Sequence, residues 1–113
     1  MKEDLIFIKH ILESINAIVE FSKGMSKKEL IENRLKQSAI VREIEIIGEA
    51  VKNISNDFRD KYSEVEWKKI AGTRDRVIHH YFKIDFDIVW NIITYDIPKL
   101  KKQIEKIKIE VCD

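Results

Sequence analysis

Apolar residues near the start of the chain recur at three- and four-residue steps: Leu5, Ile8, Leu12, Ile15 and Val19, with Ile11 and Ile18 widening the stripe and Lys9, Glu13 and Asn16 off it. That spacing predicts an amphipathic helix ending near Gly24. Ser26-Lys27-Lys28-Glu29 then has capping-box spacing, in which a serine oxygen accepts from one free amide and the glutamate reaches back to another. Leu30, Leu35, Ile40, Ile44, Ile47, Val51 and Ile54 carry a second long helix from there. Gly48 lies inside it at a cost of about 1 kcal/mol relative to alanine, which predicts the close approach of another helix.

Ser55-Asn56-Asp57 breaks the pattern, and Phe58 and Tyr62 form one edge of a short helical turn. Ser63-Glu64-Val65-Glu66 repeats the capping-box spacing and predicts a short helix through Trp67 and Ile70, ended or jointed at Ala71-Gly72-Thr73. A further short helical stretch is expected to carry Arg74 to Phe82. Asp85 is the expected N-cap of a last helix whose apolar face is Phe86, Val89, Trp90, Ile93, Ile97, Leu100, Ile104 and Ile107. Pro98 falls inside that pattern and predicts a kink, because proline lacks an amide hydrogen and crowds the carbonyl four residues back. The elements add up to an all-α, up-and-down helical bundle with three long and one or two short helices.

Composition agrees with this. The 113 residues suit one domain spanning 1–113, and 3 Gly and 1 Pro leave little turn chemistry for a sandwich or barrel. Hydrophobic residues (44%) suffice for a core and charged residues (36%) for the outer helix faces. The 21 basic and 20 acidic residues give a formal charge of +1, so any nucleic-acid contact must come from a local cluster and not from a general basic excess. Cys112 is the single cysteine, which excludes an internal disulfide and suits a reducing compartment. Met1-Lys2-Glu3-Asp4 is acidic where a signal peptide is basic, and no apolar run approaches the roughly 20 residues of a membrane span. A cytoplasmic protein without membrane association is expected.

Chemistry concentrates in one place. Arg74, Asp75, Arg76, His79, His80 and Tyr81 put two guanidiniums, two imidazoles, a carboxylate and a phenol into eight residues, next to Lys68, Lys69 and a glycine joint. Arginine offers phosphate oxygens a fixed, always-charged fork, and histidine moves a proton near neutral pH. The competing reading is a polar helix face with Arg–Asp pairing. His79 and His80 are adjacent, so on a helix they point about 100° apart and do not form a metal site, which favours spacing of three or four. No metal and no cofactor are expected. Trp67 and Trp90 read as core or interface aromatics, His10 as a partly exposed helix residue, and the tail lysines as a solvated face.

Arg74, four residues, His79, one residue and Tyr81 resembles the signature of HEPN domains, in particular the HepT-like toxins of nucleotidyltransferase–HEPN modules. Ile47-Gly48-Glu49-Ala50-Val51, Trp67 to Gly72, Tyr81-Phe82, Asp85, Val89-Trp90 and Pro98-Lys99-Leu100 look like further landmarks of that family, in the same order over almost the whole chain. Asp75 stands where many relatives carry asparagine. The resemblance implies a homodimer whose two motifs face each other across a cleft, and a metal-independent endoribonuclease acting on RNA. It also implies a partner nucleotidyltransferase antitoxin that transfers AMP to Tyr81. On that basis Arg74 and His79 are the expected catalytic residues, Tyr81 the site of modification, and Asp75, Arg76 and His80 supporting or substrate-binding residues. A rival of another class is a non-catalytic helical dimer that serves as binding partner or scaffold for a nucleotidyltransferase, with or without nucleotide binding of its own; a structural bundle without a site is a third.

One regular helix does not explain such a site. Five steps of about 100° leave Arg74 and His79 about 140° apart, while Arg74 and Tyr81 share a face. Either Arg74 sits at an irregular helix start after Gly72, or its long side chain swings round, or the site is composite between protomers.

Overall fold

The computed structural model describes residues 2–79 and 83–112, with His79 and Cys112 described by their backbone alone. Three long helices form the frame: α1 (Lys2–Ser22), α3 (Arg34–Lys52) and α8 (Ile97–Cys112). α1 packs along α3 on one side and against α8 on the other. Its apolar stripe supplies the fully buried Ile8, Ile11, Ile15 and Ile18, while Val19, at the stripe's edge, stays exposed. Gly24, at φ +70°, takes the left-handed conformation that turns the chain out of α1, a geometry most side chains resist. All-α architecture is therefore as the periodicity predicts.

The second predicted helix is two. Ser26 forms the expected capping box with Glu29 at the start of α2 (Lys27–Glu32), but the chain breaks at Asn33. Asn33 leaves helical geometry at φ −103°, ψ 94°, ends α2 by donating its N–H to the Glu29 carbonyl, and starts α3 by accepting from the Lys36 amide through its side chain. An asparagine whose side chain bonds to nearby backbone competes with helix continuation. The phase of the apolar stripe changes across this break, and Leu35 is left 81% exposed instead of buried.

Short elements also outnumber the one or two expected. After α3 come α4 (Asn56–Lys61), α5 (Trp67–Ala71) and α6 (Thr73–Val77). Ser55 caps α4 by accepting from the Phe58 amide, and the buried Asp4 of α1 accepts from both the Ser55 amide (2.7 Å) and its hydroxyl (2.8 Å). Arg59 closes the other side, donating to the carbonyls of Val51 in the last turn of α3 and Ile54 just beyond it. These bonds satisfy backbone groups that a helix terminus leaves open. The second capping box does not form: α5 begins only at Trp67 and its cap, Glu66, makes no side-chain bond to the helix's free amides. Val65 and Trp67 are drawn into the core, and Trp67 Nε1 donates to the Tyr62 carbonyl at 3.0 Å, so burial of two large side chains overrides the spacing of Ser63 and Glu66.

The expected helix over 74–82 ends at Val77. Ile78–His79 forms β1 and Lys83–Ile84 forms β2, an antiparallel pair in which Ile78 faces Ile84 and His79 faces Lys83. His80, Tyr81 and Phe82, which connect them, lie outside the described residues. α7 (Phe86–Asn91) follows, capped as predicted by Asp85, whose side chain accepts from the Ile88 amide.

Between α7 and α8, residues Ile92–Asp96 form a π-helical turn, in which the Ile97 amide reaches back to the Ile92 carbonyl. It takes the place of a proline kink in an α-helix. Buried residues run Val89, Ile92, Ile97, Leu100, Ile104 and Ile107, and the single step of five would turn an α-helix about 140° off its face. A turn closed by i→i+5 bonds absorbs the extra residue, and it does so just before Pro98, which has no N–H to give the Thr94 carbonyl.

Gly48 of α3 meets the end of α5, as its position predicts. A Cβ built there lies 3.6 Å from the carbonyl oxygens of Ile70 and Ala71, which is ordinary contact, so alanine fits. Gly48→Ala is expected to raise unfolding stability by about 0.5–1 kcal/mol, the difference in helix propensity. Urea melts check this: a lowered midpoint would mean that the approach is tighter than contact distance.

Candidate functional site

The motif is positioned by the contact at Gly48. Because α5 comes down onto α3 there, Ile70 and Ala71 lie against α3 and the chain enters α6 beside it. Thr73, buried, donates its hydroxyl to the Lys69 carbonyl at 3.1 Å and ties the first residue of α6 back to α5. Arg74 follows. Its Nε stands 3.5 Å from Oε2 of Glu45, one helical turn before Gly48 on α3; the Arg74 side chain is 56% exposed and that of Glu45 28%. No hydrogen bond from the Arg74 side chain is made among the described residues, so its donors remain available.

Three residues beyond Arg74 the helix stops, which removes the 140° objection. His79 is not on the Arg74 helix but on β1, so helical spacing does not relate the two residues. Two backbone links hold the segment at its base: the Asp85 amide donates to the Val77 carbonyl at 2.8 Å, and β1 pairs with β2. The backbone of His79 is thus placed beside Lys83, while its side chain, His80 and Tyr81 fall outside the described residues.

The supporting residues separate. Asp75 is exposed. Arg76 lines a pocket of about 60 Å³ together with Ile47, Thr73, Asp96 and Leu100, on a surface formed by α3, α6, the π turn and α8. Arg74 and Arg76 therefore serve different surfaces. Lys69 and Lys99 approach the carboxylate of Glu66 at 4.0 and 3.4 Å, forming an exposed network of modest strength along this rim. Among the described residues, no three of His, Cys, Asp and Glu converge as metal ligands.

Beside β1 the surface is mixed. Ile78 and Ile84 line a shallow groove with Ile31, Glu32, Arg34, Gln37 and Ser38 of α2 and α3, and Ile31 and Leu35, on either side of the break between these helices, form an exposed apolar patch. Sequence reading missed both this patch and Glu45. The patch follows from the break at Asn33, and Glu45 is distinguished only by lying three residues before Gly48.

No helix among the described residues is long and apolar enough to cross a membrane. Comparison with known proteins bears on the rest. A relative from Methanocaldococcus jannaschii, provisionally named an RNase, is 46% identical over 99 residues, covering 88% of this chain and 91% of its own. Another, from Caldanaerobacter subterraneus and named likewise, is 43% identical over 107 residues, covering 95% and 96%. A Thermococcus cleftensis protein with the provisional name ribonuclease HepT is 38% identical over 102 residues, covering 90% and 93%. No solved structure gives a significant match. Residues 11–107 match the family described as Ribonuclease HepT-like, and with a helical bundle that carries Arg74 and His79 on adjoining elements, the chain belongs to the HepT-like ribonuclease family.

Proposed function

We propose that this chain is a metal-independent endoribonuclease, the toxin of a toxin–antitoxin module, silenced when a partner nucleotidyltransferase transfers AMP to Tyr81. The observation that carries this reading is the family match over residues 11–107, which contains the whole Arg74, His79, Tyr81 set. The exposed Arg74, with uncommitted donors directly ahead of the β1–β2 base, supports it.

RNA cleavage without metal needs a base for the 2′-hydroxyl, an acid for the departing 5′-oxygen and positive charge for the phosphorane. One chain has a single His79, so the reaction uses two protomers. His79 of one takes the 2′-hydroxyl proton as that oxygen attacks phosphorus. His79 of the other donates a proton to the 5′-oxygen as the P–O bond breaks, and the Arg74 guanidiniums hold the phosphoryl oxygens. The products are a 2′,3′-cyclic phosphate and a 5′-hydroxyl, with no co-reactant consumed. The exposed Ile31, which lines the groove beside β1, and the exposed Leu35 just past the break support a homodimer that brings the two segments together. AMP on Tyr81 adds a negative phosphodiester and bulk where the RNA phosphate must dock.

The test is RNA cleavage by the purified chain. Cleavage is expected to persist in chelator and to yield 2′,3′-cyclic phosphate ends, and co-expression with the partner nucleotidyltransferase is expected to add AMP mass at Tyr81. Tyr81→Phe should cleave normally and escape neutralisation. Loss of cleavage in chelator would sink the metal-free mechanism, and absence of any cleavage would favour a scaffold for the nucleotidyltransferase.

A further inference from the structure

We propose that Glu45 is a positioning residue for Arg74: it takes the Nε side of the guanidinium and so turns the two terminal nitrogens toward the phosphate. The assignment rests on the reading of Arg74 as the phosphate-holding group.

The pair is built by the fold. Gly48 sets the closest approach of α5 to α3, and one turn earlier on α3, about 4.5 Å along its axis, stands Glu45. Arg74 is three residues past Ala71, whose carbonyl lies at that approach. The carboxylate and the guanidinium are thus delivered to the same level of the bundle by backbone packing alone. Ile44 and Ile47, buried on either side of Glu45 in sequence, fix the rotation of α3 and hold the carboxylate at the edge of the core, where its side chain is 28% exposed.

An exposed arginine has many rotamers, and the fork that recognises phosphate is useful only when aimed. The nearest approach in the pair is through Nε, not through the Nη atoms, at 3.5 Å. A carboxylate on that side acts as a lateral stop. It favours conformers in which the Nε–H edge faces α3, and the adjacent edge between the two Nη groups is then left open to a phosphate. A bidentate Arg–carboxylate pair would instead consume the fork and oppose RNA binding. The pair is also loose enough for the guanidinium to adjust when a phosphate arrives. Other nearby charges have other roles. Glu49, one turn further on, pairs with Lys52 at 3.4 Å, and Arg42 makes no ion pair among the described residues.

The experiment compares Glu45→Ala and Glu45→Gln with the full chain and with Arg74→Ala. In Glu45→Ala, kcat for RNA cleavage is expected to fall roughly 10- to 100-fold with KM changed much less, as for a misaimed catalytic group. Glu45→Gln, which keeps an acceptor at the same reach, should recover part of the loss. The ¹⁵Nε–H resonance of Arg74 provides a readout independent of activity. It is expected to be observable and shifted in the wild type and to collapse to the solvent-averaged arginine position in Glu45→Ala. Full cleavage by Glu45→Ala while Arg74→Ala is inactive would overturn the proposal, as would an unchanged Nε resonance. A wild-type chain that cleaves no RNA would overturn the ribonuclease reading instead, and the Nε comparison would still decide whether Glu45 orients Arg74.

Discussion

His79→Ala is expected to lower RNA cleavage by about 10²–10⁴-fold, toward the upper end of that range because in a homodimer one substitution removes both base and acid. The fold should be unaffected: β1 is held by backbone pairing of Ile78 and His79 with Ile84 and Lys83, and by the Asp85–Val77 backbone bond, none of which needs an imidazole. Far-ultraviolet circular dichroism and the urea midpoint should therefore match the wild type while cleavage disappears. A mixed dimer with one wild-type and one His79→Ala protomer separates two mechanisms. If each protomer cleaves alone, it retains half the activity; if the site needs an imidazole from each chain, it retains far less. Cleavage by His79→Ala within tenfold of wild type would remove His79 from the chemistry.

The largest expected effect on stability is at Phe58. Its side chain is completely buried, with the Tyr62 ring centroid at 4.9 Å and the Trp67 ring edge-on at 6.3 Å. It sits on α4, which has six residues and is far too short to persist as an isolated helix. Tertiary contact must hold α4 in place, and Phe58 supplies the main apolar anchor. Phe58→Ala is expected to cost about 3–5 kcal/mol through lost transfer energy and the cavity left behind. Against a typical domain stability of about 5–15 kcal/mol, this leaves a marginal protein. Chemical denaturation at constant slope measures it, and a loss under about 1 kcal/mol would mean that the α4 region repacks around the smaller side chain.

Much of this architecture is legible in the sequence where local chemistry and tertiary packing agree. Ser26 with Glu29, and Asp85 ahead of an apolar run, act as caps where their spacing from the following helix predicts it. Ser63 and Glu66 show the same spacing and do not cap, because Val65 and Trp67 are worth more buried than two exposed hydrogen bonds. Asn33 is invisible to a period count over Leu30, Leu35 and Ile40, since its effect lies in side-chain competition for backbone amides. The π turn leaves a trace in the five-residue step from Ile92 to Ile97, which conflicts with any single α-helical face. The site divides in the same way. The Arg74–His79–Tyr81 set is a linear pattern and can be read directly, whereas the change from helix to strand between Arg74 and His79 depends on a strand pair between residues six apart, Ile78 and Ile84, that helical periodicity hides. Glu45 has no linear signature at all: its relation to Arg74 exists only because α5 and α3 meet at Gly48.

The closed base of the motif segment has a consequence for control. Signals travel between distant sites through an element with two discrete arrangements that both sites bias. Here the chain is pinned by the Asp85–Val77 bond and the two strand pairs, leaving three residues, His80 to Phe82, between them. A group attached to Tyr81 has little leverage on the bundle through so short a span. If AMP is transferred to Tyr81 as proposed, silencing is expected to be a matter of occupancy rather than allostery, with the bundle keeping its shape and only the space in which RNA would lie being lost.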